Sequence, residues 1–381
     1  MDIMKVCILT STHKWNDNRV FYKETLSLVD FGYEVVYIAQ EASMARDVDE
    51  RVKCVDLPLK NKLGPTSLRG MFNIYKVAKR EKCDVYHLQD PDLIYVGLLL
   101  KMTTGAKVVY DVHEDYPNDM LTKYYLKPWV RKVMSKIMAF SEWLADKFFD
   151  AIVTADNFVY EQFSKKKTIV LFNYPDTKKI DESLAPYNGA RDVKWDVIFP
   201  GTTTEFIINI ILGVAKVFHD RGRELRVAII SPFVVNGGID WVRSRIKELN
   251  LDEEKIHLQL RVPTYEVPRL IQSSKIGIIP WQDVLKLRKN IPTKLFEYWY
   301  CGIPVVVSDL PPCAQFVNKA KGAFLVHPDS IEDYADRIEF LLDHPEVAQE
   351  MANVGRDFVI KECNWDVEKR KLRKLYEELS K

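Results

Sequence analysis

The sequence predicts an α/β protein made of two parallel-sheet halves in tandem. Three observations carry this. Short apolar runs alternate with helical patterns along most of the 381 residues, and alternation of that kind builds βαβ units. The alternation fails once, between Asn173 and Lys194, where Pro175, Pro186, Asn188 and Gly189 collect among charges as in a linker. The length corresponds to about two domains, and 47% hydrophobic residues fill two cores.

In the first half, Lys5 to Thr10 is a buried strand. It ends in the polar loop Ser11 to Asn18, followed by a helix with Val20, Phe21, Leu26 and Leu28 on its apolar side. Gly32 turns the chain into the strand Glu34 to Ala39; further strands are expected at Val52 to Leu57, Val85 to Leu88, Lys107 to Asp111 and Ala151 to Thr154. The pattern restarts with strands at Asp196 to Pro200, Arg226 to Ile230, Ile256 to Leu260, Ile276 to Ile279 and Val305 to Ser308, and with helices through Ile207 to His219 and Ile239 to Leu249. The boundaries read from this are a first domain at 1–175, a linker at 173–194 and a second domain at 195–364; the charged helix from Trp365 joins the first domain as 365–381. Ligands of open parallel sheets bind beyond the carboxyl ends of the strands, so two such domains facing each other are expected to line a cleft.

The net charge of +1 gives no global attraction to nucleic acid. Six scattered cysteines, Cys7, Cys54, Cys83, Cys301, Cys313 and Cys363, form no close pair of the zinc or redox type and suit a reduced, cytoplasmic setting. No export signal is read at the N-terminus, and no apolar run reaches the roughly 20 residues that span a bilayer.

The stretch Asn290 to Asp309, NIPTKLFEYWYCGIPVVVSD, reads as loop, helix and buried strand. Pro292 suits the first helical turn, Asn290 and Thr293 can cap free N–H groups, and Lys294 and Glu297 share one helical face. With the positive helix N-terminus, Lys294 makes a seat for a diphosphate, and Glu297 one turn deeper can accept from ribose hydroxyls. The alternative is an ordinary helix-to-strand unit of a parallel sheet. Gly201 ends the first strand of the second half and leads into Thr202 and Thr203; these hydroxyls either donate to phosphate or sugar or belong to a threonine-capped helix start. Strand-end loops of the first half collect His13, Asp17 and Arg19, then His87, Asp90 and Asp92, then Asp111, His113, Glu114 and Asp115. Asp90 and Asp92 have the spacing of a metal-binding carboxylate pair, but no third ligand stands nearby and Pro91 shapes a turn. No metal or other cofactor is expected. The glycine-free turn Thr10 to Lys14 lacks the dehydrogenase fingerprint.

Residues 123–141, KYYLKPWVRKVMSKIMAFS, contain Lys123, Lys127, Arg131, Lys132 and Lys136, no acidic residue, and the aromatics Tyr124, Tyr125 and Trp129. Basic charge and aromatics on an amphipathic helix suit an anionic membrane surface. The competing reading packs Val130, Val133, Met134, Ile137 and Met138 on the domain and leaves the lysines in water.

The segments HKWNDNRVFYKE (13–24), VYHLQDPDL (85–93), VVYDVHEDYP (108–117), VPTYEVPRLI (262–271) and PTKLFEYWYCGIPVVVSD (292–309) resemble those of retaining glycosyltransferases of the GT-B fold, specifically glycosyltransferase family 4, over nearly the whole chain. The resemblance implies two Rossmann-like domains facing across a cleft and a metal-independent, hexosyltransferase-type enzyme. Its donor would be a nucleotide-diphosphate sugar and its acceptor a saccharide, often lipid-linked, in capsule or other cell-surface polysaccharide biosynthesis, with the protein peripheral on the inner face of the cell membrane. It further implies that Glu297 holds the donor ribose, that Lys294 stabilises the departing diphosphate, and that the loop at Arg261 and Val262 meets the base. His113 would contact the transferred sugar, with Asp17 and Glu114 as further catalytic candidates, while His13, Arg19, His87 and Asp90 face the acceptor. Lys289 replaces one of the family's frequent paired glutamates, and Thr202 to Glu205 replaces its arginine and lysine. That leaves Lys294, with Arg288 or Lys289, to meet phosphate charge. A catalytically silent assembly subunit and a sugar-nucleotide epimerase are the alternative functions.

Overall fold

The computed structural model describes residues 3–57, 68–123, 125–187 and 191–381. Contacts divide the chain into two units, Met1–Asn173 with Trp365–Lys381, and Tyr174–Asn364. Asn188, Gly189 and Tyr124 lie outside the described residues.

The first unit is a seven-stranded parallel sheet ordered β3-β2-β1-β4-β5-β6-β7. Its strands are β1 (Lys5–Lys14), β2 (Glu34–Gln40), β3 (Val52–Asp56), β4 (Val85–Leu88), β5 (Lys107–Val112), β6 (Ala151–Thr154) and β7 (Thr168–Val170). Side chains alternate across the sheet, so β1 serves two cores. Val6 and Ile8 pack with Val20, Phe21, Leu28, Leu372 and Tyr376. Cys7 and Leu9 pack with Ile74, Ile94, Leu100 and Ala145. The first face is covered by a π-helix (Asn18–Thr25), α1 (Leu26–Asp30) and the C-terminal helix; the second by α2 (Leu68–Arg80), α3 (Ile94–Thr104) and, after the short α4 (Tyr116–Leu121), the long α5 (Pro128–Phe148). The connection to β7 passes through α6 (Asn157–Tyr160).

The second unit opens with α7 (Thr177–Leu184), inside the segment read from sequence as a linker. Asp176 caps this helix by accepting from Lys179 N, and Ile180 is its one buried residue. A helix that buries one side chain leaves no periodicity to read, which is why the segment reads as irregular. The sheet, ordered β10-β9-β8-β11-β12-β13 and again parallel, comprises β8 (Trp195–Pro200), β9 (Val227–Ile230), β10 (Ile256–Gln259), β11 (Ser274–Ile279), β12 (Val305–Ser308) and β13 (Ala323–Val326). Its helices are α8 (Glu205–Asp220), α9 (Gly238–Glu248), α10 (Val267–Gln272), α11 (Thr293–Tyr300), α12 (Pro311–Ala320), α13 (Ile331–Asp343) and α14 (Pro345–Glu362); α15 (Trp365–Leu379) returns to the first unit.

Two edge strands, β7 and β13, are not among those expected from the sequence; the three residues of β7 carry too little pattern to read. All six cysteines are buried free thiols.

Candidate active site

In each sheet the strand order reverses beside the first strand, between β1 and β4 and between β8 and β11. Such switch points open a crevice at the carboxyl ends of the strands. The polar loops of the sequence stand at these two places.

In the first unit the loop after β1 is tied to the loop after β4 by one carboxylate. Asp90 accepts from Thr10 Oγ1 (2.7 Å), Ser11 N (2.7 Å), Thr12 N (3.3 Å) and Thr12 Oγ1. It is 2% exposed, so it serves as an internal staple instead of lying open to an acceptor. Asp92 beside it accepts from Ser11 Oγ (2.7 Å), and burial together with the Asp90 charge pushes its carboxyl up to about 7.

Asp17 caps the π-helix, accepting from Arg19 N and Val20 N (both 2.9 Å), and also pairs with His13 Nδ1 (3.0 Å). Burial alone would raise Asp17, yet His13 and the Val20 amide outweigh it and bring the carboxyl down to about 2. His13 moves the other way: burial opposes its charge, but Asp17, Asp90 and Asp111 together raise it.

The π-helix decides what lies beneath. Bonding to the fifth residue stacks side chains five apart, and Arg19 Nε meets Glu24 Oε1 at 2.9 Å. Arg19 Nη2 also donates to both oxygens of Asp111 (3.0 and 2.9 Å), and Nη1 to Leu171 O (2.8 Å). Arg19 is therefore an internal cation between two fully buried carboxylates, and the expectation that it binds an acceptor phosphate is corrected. An α-helical reading places residues 19 and 24 on different faces, and the sequence gives no sign of the wider turn. The Asp111 carboxyl resists burial because Arg19 and the histidines hold it down, to about 2; Glu24 is driven upward by burial and by Asp111. Ligand atoms of Glu24, His87 and Asp111 converge within 4.8 Å, but the guanidinium already supplies the positive charge between the carboxylates.

His87, likewise expected at the acceptor, is fully buried, with Nδ1 2.8 Å from Tyr376 OH on α15; desolvation lowers it to about 4. His113 lies nearer the surface, its side chain 14% exposed. Its Nε2 faces Gln89 Oε1 at 2.8 Å, and Gln89 Nε2 donates to Glu24 Oε2 at 2.8 Å. Because Gln89 turns its amide nitrogen to Glu24, its oxygen faces the histidine, which fixes the hydrogen of His113 on Nε2 and leaves the Nδ1 lone pair as acceptor. Burial lowers His113 to about 4 against the pull of Asp111, so the ring is neutral near pH 7. The rings of His13 and His113 lie 5.0 Å apart. Glu114 is half-buried on the same loop. Glu24 and Gln89 were not singled out from sequence; Gln89 directly follows a strand end beside His87, which was the available signal.

In the second unit α11 is locked by aromatics. Tyr298 OH donates to Ile198 O (3.1 Å) and Ile278 O (3.3 Å), its ring lies where a Cβ on Gly277 would stand, and Trp299 Nε1 donates to Gly322 O (2.7 Å). The half-buried Thr293, Lys294 and Glu297 share the opposite side. The Lys294 side chain lies over the end of β8: a Cβ on Gly201 would stand 2.2 Å from Lys294 Cε and 2.8 Å from its Nζ. Only glycine admits this approach. Pro292 occupies the N-cap and no side chain caps the helix. Asn290 and Thr293 thus do not cap as expected, because the turn is closed instead by Thr293 N donating to Ile291 O and Leu295 N to Pro292 O. Gly302 at φ 77° ends the helix.

Thr203 is fully buried and turned to Ser231: its amide donates to Ser231 Oγ (3.1 Å) and the two hydroxyls are 2.9 Å apart. Thr204 caps α8. The threonine run is thus largely the capped helix start, with Thr202 exposed. Arg288 is exposed and bonded to Asp283, Lys289 and Asn290 are half-buried, and Arg261 and Val262 follow β10 on an exposed loop. A cavity of 510 Å³ at the ends of β12 and β13 is lined by Asp283, Asp309, His327, Asp333, Asp336 and Arg337; its carboxylates disfavour a diphosphate there.

Residues 18–169 match the family Glycosyltransferase Family 4, and residues 215–358 match Glycosyl transferases group 1. The first of these matches lies in the first unit and the second in the second unit. Similar solved structures include a glycosyltransferase from Rickettsia africae ESF-5, at 16% identity over 100% of this chain and 99% of that one, with a TM-score of 0.72. The sucrose-phosphate synthase of Thermosynechococcus elongatus is 13% identical, with 99% of both chains covered and a TM-score of 0.72. Anabaena Alr3699/HepE in complex with UDP is 13% identical over 98% of this chain and 100% of that one, with a TM-score of 0.68. At these identities the structures speak for the fold alone, which is the GT-B fold. No curated protein matches the chain.

Proposed function

We propose that this glycosyltransferase moves a hexose, with retained configuration and without a metal, from a nucleotide-diphosphate sugar to a lipid-linked or other saccharide acceptor in cell-surface polysaccharide biosynthesis. It works at the inner face of the cell membrane, attached through residues 123–141. The observation that carries this reading is the Lys294 ammonium laid over Gly201 beside the uncapped N-terminus of α11. A fixed cation and a helix N-terminus together suit a diphosphate whose charge grows as the bond to the sugar breaks. The UDP held by the Anabaena relative supports a nucleoside diphosphate as ligand.

Glu297, one turn along α11, takes the ribose hydroxyls, and the Arg261–Val262 loop takes the base. Neutral His113 offers its Nδ1 lone pair to a hydroxyl of the transferred sugar. Asp17, ionised at neutral pH, counters positive charge developing at the anomeric carbon, with Glu114 beside it.

The test is binding and turnover. Nucleoside diphosphates are screened by thermal shift, where a ligand at 100 times its dissociation constant adds about 2.7 kcal/mol. Lys294→Ala and Glu297→Ala are then assayed for sugar-nucleotide turnover with candidate acceptors. Loss of a charged contact at the diphosphate is expected to reduce turnover by about 2 to 4 kcal/mol. Turnover within a few-fold of wild type in both variants refutes the donor site, and absence of nucleotide binding and turnover in the wild type favours a silent assembly subunit.

A further inference from the structure

The chain just past His113 is held to the first unit by little buried surface. Among the described residues none from His113 to Phe140 is buried, and α4 buries no residue at all. Burial returns at Ser141, Glu142 and Ala145, late in α5. Val133 and Ile137 are exposed, while Val130, Met134 and Met138 are half-buried. The reading in which all five pack on the domain therefore holds for three at most. Several ties run within the stretch. Arg131 Nη1 donates to Leu121 O (2.9 Å), Lys123 Nζ pairs with Asp119 (3.1 Å), and Asp115 caps α4 by accepting from Asn118 N. The two helices pack on each other, and Tyr116 at the root of α4 packs on the core of this side. At the far end Tyr95 OH on α3 meets Ser141 Oγ at 2.8 Å, which fixes α5 where its burial begins. Residues 116–140 are therefore a helical hairpin jointed near Asp115 and Ser141. A segment with so little buried surface opens well before its domain unfolds.

Where the hairpin is rooted, two buried polar groups lack partners. Successive side chains alternate across the sheet, so Tyr110 turns away from Asp111 and into the core that α3 and α5 cover. Its hydroxyl is fully buried and bonds nothing; Glu142 on α5 is 5% exposed, and its Oε1 bonds nothing. The two are neighbours. The Glu142 charge bears on Tyr110 and on Tyr116, and Asp115 in turn bears on Glu142. An unpaired buried polar atom costs stability. Two of them beside a hairpin that can lift mark a place where a ligand supplies the missing bonds.

We infer that residues 116–140 are a flap over a subsite in which Tyr110 and Glu142 bond a hydroxyl of the acceptor saccharide. The inference rests on the transferase reading and adds to it where the acceptor is held. Burial and the Asp115 charge push the Glu142 carboxyl up to about 8. At neutral pH it keeps its proton and, like the phenol, both donates and accepts. A sugar hydroxyl does the same and answers both groups. An anion is disfavoured, since Asp115 bears on Glu142 and Asp90 on Tyr110. Tyr110 precedes His113 by three residues and Tyr116 follows it by three, so a sugar lodged here lies behind the loop that carries His113. Water is the competing occupant, and the experiment separates the two.

The experiment is amide hydrogen exchange of the full chain read by mass spectrometry, alone and with the methyl glycosides of glucose, galactose, mannose and N-acetylglucosamine. Amides of 116–140 are expected to exchange about a hundredfold faster than those of α3. A glycoside that fits, at ten times its dissociation constant, should slow them by about tenfold as the flap closes on it. Tyr110→Phe/Glu142→Met removes both unpaired groups; it should keep or raise the unfolding temperature and abolish the slowing. The inference is overturned if 116–140 exchange as slowly as α3, if none of the four glycosides slows them, or if the variant still responds. It is equally overturned if the variant unfolds at a lower temperature, which would show both groups already bonded inside the protein, to water included. A nucleoside diphosphate thermal shift on the same sample reports on the transferase reading by itself: a nucleotide response without a glycoside response sinks the flap and its subsite alone.

Discussion

Removing the buried cation Arg19 tests whether the polar loops of the first unit are machinery or support. Its guanidinium makes four contacts of 2.8 to 3.0 Å, two to Asp111, one to Glu24 and one to Leu171 O. Both carboxylates are fully buried. In Arg19→Ala they lose their counter-charge with no access to water, and removing one partner of a buried pair typically costs about 3 to 5 kcal/mol. For a unit of this size 1 kcal/mol moves the midpoint by about 2 to 4 °C, so the first unit should unfold about 6 to 20 °C lower. Differential scanning calorimetry at pH 7 reads this, with Arg19→Lys intermediate because one ammonium cannot reproduce the bidentate pair. Neutralising the partners as well, in Arg19→Met/Glu24→Gln/Asp111→Asn, should recover part of the loss. An acceptor-binding arginine behaves differently: KM for the acceptor rises while the unfolding temperature stays put. A shift under 2 °C in Arg19→Ala refutes the internal role.

Gly201→Ala places a methyl 2.2 Å from Lys294 Cε and must displace that side chain; nucleoside diphosphate binding by calorimetry should weaken by about tenfold or more, with the fold intact by circular dichroism. His87 and His113 are held near 4 in the folded state against an ordinary 6.5. Their neutral forms contribute stability that is complete above pH 6.5 and is lost as pH falls from 6.5 to about 4, on the order of a few kcal/mol for the pair. Across the same window the raised carboxyls of Asp92, Glu24 and Glu142 take up or hold protons in the folded state and offset this loss, so the histidine contribution is read as a difference: between pH 6.5 and 4 His87→Asn should lose less stability than the wild type. The Asp17 and Asp111 contributions are lost below that window, between about 4 and 2. Gln89→Leu leaves the His113 Nε2 hydrogen without its acceptor. It should lower kcat by about tenfold or more with little change in donor KM, and ¹⁵N spectra should show His113 no longer confined to the Nε2–H tautomer.

The strands were legible where a short, mainly apolar run met a clear turn, as at Val85–Leu88 and Val305–Ser308, because burial on both faces of a parallel sheet demands such runs. Lys294 and Glu297 were legible as a pair because α11 is regular and its other positions, Leu295, Phe296, Tyr298 and Trp299, are plainly apolar. The first-unit loops were legible only as collections of polar residues. Which of those side chains turn inward depends on a π-helix and on pairings 80 to 92 residues apart in sequence, such as Thr10 with Asp90 and Arg19 with Asp111. Local pattern records neither.

The inward and outward sets are nevertheless one construction. Burial keeps His113 neutral, and Arg19 protects that state by compensating Asp111, which uncompensated would draw a proton to the ring. Glu24 serves both sides, meeting Arg19 with one oxygen and steering Gln89 with the other. The five-residue spacing of the π-helix brings Glu24 to that position; an ordinary α-helical turn would carry it to a different face, leaving Gln89 free to rotate and His113 free to exchange tautomers. The irregular turn after the first strand therefore holds the proton of the candidate catalytic histidine on one nitrogen through two intervening side chains.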